Sequence, residues 1–117
     1  MAVAATRSIA INFTGDIVGG NSFDAASNAA SPAQMEVRTL AIGANTITPP
    51  AGGTTPKAVT IVPPSGNTAT ITLKGVTGDT GVVLHLTDPT SIALNSPTAT
   101  FVLTLSAEIA GVRLIWT

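Results

Sequence analysis

The segment Thr100-Phe101-Val102-Leu103-Thr104-Leu105-Ser106-Ala107-Glu108-Ile109-Ala110-Gly111-Val112-Arg113-Leu114-Ile115-Trp116-Thr117 is written largely with a period of two. Phe101, Leu103 and Leu105 alternate with Val102 and Thr104, and Val112, Leu114 and Trp116 alternate with Arg113 and Ile115. Successive Cβ atoms of an extended strand point to opposite faces, so each run predicts a strand with one face turned inward. Gly111 is read as opening a turn after Ala110, because glycine admits positive φ.

The same period extends back along the chain. Ile9, Ile11 and Phe13 alternate with Ser8, Ala10 and Asn12; Val59 and Ile61 with Ala58 and Thr60; Ile71 and Leu73 with Thr70, Thr72 and Lys74; Val82, Leu84 and Leu86 with Val83 and His85. Met35 to Ile42 predicts one more strand, with Met35, Val37, Thr39 and Ala41 on one face and Glu36, Arg38, Leu40 and Ile42 on the other. Both faces are partly apolar, which suits a central strand or one whose outer face meets a partner. Between the runs stand Pro49-Pro50-Ala51-Gly52-Gly53, Pro63-Pro64-Ser65-Gly66-Asn67 and Gly78-Asp79-Thr80-Gly81. Proline presets φ, glycine admits positive φ and Asn or Asp bonds its own backbone, so these are turns. Short strands separated by such turns predict an all-β fold, a single antiparallel β-sandwich or jelly roll of about eight short strands.

An internal echo supports the turn reading. Thr46-Ile47-Thr48-Pro49-Pro50-Ala51-Gly52-Gly53-Thr54 recurs as Thr60-Ile61-Val62-Pro63-Pro64-Ser65-Gly66-Asn67-Thr68. Two copies are too few for a solenoid; they read as two strand ends closed by similar turns, whose prolines stop the ladder and protect edges.

Residues 14–34 differ. Ser22, Ala25, Ala26, Ser27, Asn28, Ala29, Ala30 and Ser31 gather the small side chains there. The segment is read as a long loop or interaction arm, with a short helix over Phe23 to Ala30 as a variant that Asn21 or Ser22 would cap.

Composition bounds the function. The chain has 117 residues, no cysteine, a formal net charge of −1, only 9% charged residues and a mean hydropathy of +0.46. Its length suits one domain, and without cysteine there is neither a disulfide nor a thiolate metal site. Average soluble domains carry about 25% charged residues, so a surface this poor in charge predicts cover by copies of the chain or by partners. The competing explanation is that Thr, Ser and Asn solvate the exposed faces instead. Arg7, Arg38, Lys57, Lys74 and Arg113 are scattered, and the aromatics are Phe13, Phe23, Phe101 and Trp116; nucleic-acid binding, which needs clustered cations and stacking platforms, is not expected. No apolar run approaches a membrane span, and the apolar start Met1 to Ala5 is too short for a signal-peptide core, so synthesis in the cytoplasm is expected.

Three places resemble chemistry. Asp79-Thr80-Gly81 matches the tripeptide of aspartic proteases, where paired aspartates share a proton, but Thr77-Gly78 precede it in place of the apolar residues of a buried strand end. A glycine-rich hairpin turn is the expectation. His85, the single histidine, lacks an adjacent nucleophile and has only Asp88 nearby in sequence; it reads as a structural or interfacial group whose charge could tune assembly near neutral pH. Asp16 and Asp24 match no calcium-loop spacing. No catalytic residue, metal or cofactor is expected. Candidate contact residues are Phe23, Met35, Leu40, Ile42, His85 and Trp116; the lone Trp116 is either a core plug or an interface anchor.

From Thr46 to Thr117 the chain resembles small virion proteins of tailed bacteriophages. The resemblance lies in the proline-glycine turns, in Thr70-Ile71-Thr72-Leu73-Lys74-Gly75-Val76-Thr77-Gly78-Asp79-Thr80-Gly81, in Leu84-His85-Leu86-Thr87-Asp88-Pro89-Thr90 and in Val112-Arg113-Leu114-Ile115-Trp116. It implies a β-sandwich that decorates a capsid or sits in the tail, is found in the virion, and has copies of itself and other virion proteins as partners. It brings no catalytic residues. The alternatives from other classes are a carbohydrate-binding or adhesion module and, more remotely, a small aspartic protease.

Overall fold

Alternation and turn chemistry resolve into ten strands, with no helix among the described residues. The computed structural model describes residues 7–13, 19–25, 34–49, 56–75, 78–94 and 100–117, with 7–13, 19–25 and 34 described by backbone alone. Strands β1 (Arg7–Phe13) and β2 (Gly19–Ala25) pair in a two-stranded antiparallel sheet. The others are β3 (Gln34–Leu40), β4 (Gly43–Ile47), β5 (Ala58–Val62), β6 (Ile71–Lys74), β7 (Val82–Val83), β8 (Thr90–Ala93), β9 (Phe101–Leu105) and β10 (Ile109–Trp116). They form two four-stranded antiparallel sheets, of order β3-β10-β5-β8 and β4-β9-β6-β7.

The pairing follows one rule. Among the eight, first pairs with last (β3 with β10), second with seventh (β4 with β9), third with sixth (β5 with β8) and fourth with fifth (β6 with β7). Consecutive strands change sheet except at the β6–β7 hairpin. A long hairpin rolled over on itself in this way is a jelly roll, so the expected sandwich or jelly roll is found. Edge strands β3 and β4, joined by two residues, mark one lateral side, and β7 and β8 mark the other.

The core lies between the sheets. Leu40, Ile47, Val59, Ile61, Ile71, Leu103, Leu105, Ile109, Val112, Leu114 and Trp116 are each at most 4% exposed and form one cluster, against which Leu73, Leu84, Ile92, Leu94 and Phe101 pack. Burying such a side chain contributes about 1.5–3 kcal/mol. The last residue joins the closure: the Thr117 carbonyl accepts from the amides of Lys57 at 2.8 Å and Ala58 at 3.1 Å, and its own amide donates to Ala58 O at 3.0 Å.

Side chains close the turns. Asn45 Oδ1 accepts from Ala41 N at 3.1 Å while its Nδ2 donates to Ala41 O at 2.8 Å and Gly43 O at 3.1 Å, which fixes the β3–β4 corner. Asn67 Nδ2 donates to Ala69 O at 2.9 Å and across to Leu86 O at 2.7 Å, tying the β5–β6 turn to the β7–β8 connection. The two halves of the internal echo end β4 and β5, one in each sheet.

Several expectations are corrected. Gly111 opens no turn: the β9–β10 turn is at Ser106 to Glu108, and Gly111, with φ +79°, sits inside β10 where the register against β3 shifts between Ile109 and Val112. Both flanking residues are buried although an odd number of positions apart, and one extra residue in a bulge is what allows that. The predicted strand at Val82 to Leu86 stops at Val83, because His85 closes a turn. Strand β3 is an edge, not a central strand. Strand β8 went unforeseen, and of β4 only its end at Thr46-Ile47 was expected; Gly43, Ala44 and Asn45 are weak strand formers that gain their ladder from β9.

The long-loop reading of 14–34, and the helix variant with it, is corrected over Gly19–Ala25, which is strand β2 in register with β1 from Arg7↔Ala25 to Phe13↔Gly19. Its Gly, Asn and Asp are poor strand formers, and the ladder to a β-branched and aromatic neighbour supplies what propensity lacks. Residues 14–18 and 26–33 lie outside the described residues, as does Asp16 of the calcium reading.

Candidate interaction face

Alternation along β3 sends Glu36, Arg38 and Leu40 toward the inner side and Met35, Val37 and Thr39 outward, where Met35 is 60% and Val37 61% exposed. Register sets their neighbours: Met35 stands opposite Ile115 and Val37 opposite Arg113 on β10, and Arg113 stands opposite Val62 on β5. The outer face at this edge is thus an apolar strip of Met35, Val37, Ile115 and Val62 around one exposed guanidinium. Ile42, at the β3–β4 corner, is 69% exposed.

The inner side of the same strand carries half-buried charges. Glu36 Oε2 accepts from the Trp116 indole Nε1 at 3.4 Å, and Arg38 stands opposite Val112. Inward-pointing charges on an edge strand discourage edge-to-edge pairing. Contact through the outer face escapes that penalty, so β3 is suited to side-chain docking and poorly suited to adding a strand.

The opposite lateral side has its own exposed apolar groups, Val82 and Val83 on β7 and Leu86 just beyond. Beside them a cleft of about 640 Å³ opens between the sheets, lined by Leu73, Val82, Ile92, Leu94 and Phe101 with Lys74 and Asp79. Asp79 itself is exposed in the β6–β7 hairpin, which is the predicted turn and not the end of a buried strand. His85 is exposed in the β7–β8 connection: its Nδ1 accepts from the amides of Thr87 at 3.2 Å and Asp88 at 2.9 Å, with Asp88 Oδ2 3.7 Å away. Among the described residues there is no group of three or more metal-ligating side chains, and no helix long and apolar enough to cross a membrane.

Of the six candidate contact residues, Met35, Ile42 and His85 lie on the surface. Leu40 and Trp116 do not: they are 0% and 1% exposed and belong to the core. Leu40 shares the inward parity of β3, and Trp116 stands between Gln34 of β3 and Val59 of β5, with the Phe101 ring centroid 6.4 Å away. Phe23 lies in β2 opposite Ile9, its side chain outside the described part. Sequence reasoning missed Val37, Val82, Val83 and Leu86. The parity that selected Met35 selects Val37 equally; the Val82-Val83 pair carried no signal, since adjacent valines place one on each face. Comparison with protein-family models, with curated proteins and with solved structures returns no match.

Proposed function

We propose that this chain is a non-enzymatic structural subunit of a bacteriophage virion, either a capsid-decorating cement subunit or a tail-associated one. It acts through protein-protein contacts in a symmetric assembly with copies of itself and other virion proteins. The observation that carries the reading is the exposure of Met35, Val37 and Ile42 on an ordered edge of a chain with only 9% charged residues. Apolar side chains on a surface with little charge favour cover by another molecule. The jelly roll supports it by fold analogy alone, since that winding serves capsid proteins, lectins and cupins alike.

A carbohydrate-binding module gains less support, because sugar platforms use exposed aromatics and Trp116 is buried. Size exclusion with light scattering, and electron microscopy of particles from a producing host, test the proposal. Self-association and presence in particles are expected; a strictly monomeric chain absent from particles overturns it. Copy number then assigns the place, hundreds per particle for a capsid and fewer for a tail.

A further inference from the structure

His85 makes three polar approaches with one nitrogen. Its Nδ1 accepts from the amides of Thr87 at 3.2 Å and Asp88 at 2.9 Å, and Asp88 Oδ2 stands 3.7 Å from the same atom. An imidazole nitrogen accepts only while it carries no proton, so the turn needs a neutral ring with its hydrogen on Nε2. A proton on Nδ1 meets two N–H donors, which repel it, and one carboxylate, which attracts it. The two sets of partners exclude each other. We propose that His85 is a proton-operated latch on the β7–β8 connection: neutral, it holds the amides of Thr87 and Asp88; protonated, it releases them and pairs with the Asp88 carboxylate. This inference stands apart from the assembly reading and does not depend on it.

The latch sits where the chain crosses from β7 in one sheet to β8 in the other. Leu84, at the start of the crossing, packs on the core and donates its amide to Ile71 O at 2.8 Å, and Leu86 O accepts from Asn67 Nδ2 at 2.7 Å. Leu86 is 40% exposed, so the charge on the ring decides how firmly an apolar side chain is held at the surface. Imidazole is the side chain whose ordinary titration falls between about pH 5 and 8, and at 61% exposure protons reach it without opening the core. Charge around it is sparse. The β5–β6 turn from Val62 to Asn67 and strand β8 bring no titratable group. Lys74 lies at the far end of β6 beside Gly81, Arg113 of β10 lines a pocket with Thr87, and Glu108 belongs to the β9–β10 turn, whose Ser106 bonds Thr70. Among the described residues Asp88 is the carboxylate that reaches the ring.

Nuclear magnetic resonance on the full chain, labelled with nitrogen-15, tests this. Scalar coupling across the hydrogen bond from His85 Nδ1 to the Asp88 amide nitrogen should be present at about pH 8 and lost at about pH 5.5, and the Thr87 and Asp88 amide resonances should move together with the titration of the ring. His85→Asn keeps an acceptor that bonds its own backbone two residues on but takes up no proton, so the same two amides should hold one position across that range. His85→Leu has no acceptor and should show the released positions at both ends of it. Circular dichroism checks that each variant folds. Absence of the coupling at the higher pH, or a neutral ring whose hydrogen sits on Nδ1, overturns the latch. So do amides that stay still while the ring titrates, and amides that move as far in His85→Asn as in the unmodified chain, which would assign the change to another group.

Discussion

The indole Nε1 of Trp116 donates to Oε2 of Glu36 at 3.4 Å, so a side chain buried to 1% exposure on β10 is tied to a half-buried charge on edge strand β3. Its ring fills the core beside Phe101, tilted by 49°. Removing that volume leaves a cavity the two sheets can only partly close. Trp116→Ala should lower stability by about 3–5 kcal/mol, whereas Glu36→Gln, which keeps an acceptor, should cost about 1 kcal/mol or less at so long a hydrogen bond. Denaturant unfolding of both variants compares them directly, and a Trp116→Ala cost below that of Glu36→Gln would refute the core assignment.

Gly81 and Gly111 share a positive φ, +78° and +79°, but not their surroundings. A Cβ at Gly81 would stand 2.5 Å from the Leu73 carbonyl oxygen and 2.8 Å from Thr72 Cγ2, while one at Gly111 would meet nothing within 4 Å. Gly111→Ala should therefore cost only the left-handed conformation, about 1–2 kcal/mol. Gly81→Ala adds a backbone clash and should cost more. Equal losses in thermal unfolding would contradict the close approach of the hairpin to β6.

Asn45 bonds both backbone groups of Ala41. Asn45→Ala leaves them to compete for water and should destabilise by about 1–3 kcal/mol. Asn45→Asp keeps the acceptor for Ala41 N but sets a carboxylate against the carbonyl oxygens of Ala41 and Gly43, so it should recover little. Hydrogen exchange at the Ala41 amide is the local readout: faster exchange is expected in the alanine variant, and an unchanged rate would show that the corner holds without the side chain.

Thr104, central in β9, has a buried hydroxyl with no hydrogen-bond partner among the described residues. Replacing an unpaired buried hydroxyl by a methyl of similar shape removes a desolvation cost. Thr104→Val should be neutral or stabilising by up to about 1 kcal/mol, worth a rise of a few degrees in Tm. A clear drop in Tm would reveal a partner for that hydroxyl.

Much of this molecule is legible along the chain. Alternation in Phe101 to Leu105 and Val112 to Trp116 marks real strands, and Pro63 to Asn67 and Gly78 to Gly81 mark real turns, because period and turn chemistry are local properties. The bulge at Gly111 was legible too, in hindsight, from the apolar pair Ile109 and Val112 three residues apart. The surface candidates fared less well. Leu40 and Ile42 share a parity on paper, yet one is core and the other exposed, because the chain turns the corner between them.

By itself the sequence determined the all-β class, the strand faces of β9 and β10, the turns at Pro63 to Asn67 and Gly78 to Gly81 and the poverty of charge. Only the tertiary structure decided which strands became edges, because β3 and β10 are brought together from opposite ends of the jelly roll, and no local pattern encodes a partner so distant in the chain. The exposure of Met35 and Val37 and the burial of Trp116 follow from that closure. A side-chain period of two assigns a residue to a face, and the second sheet, arriving from elsewhere in the chain, determines which face is covered.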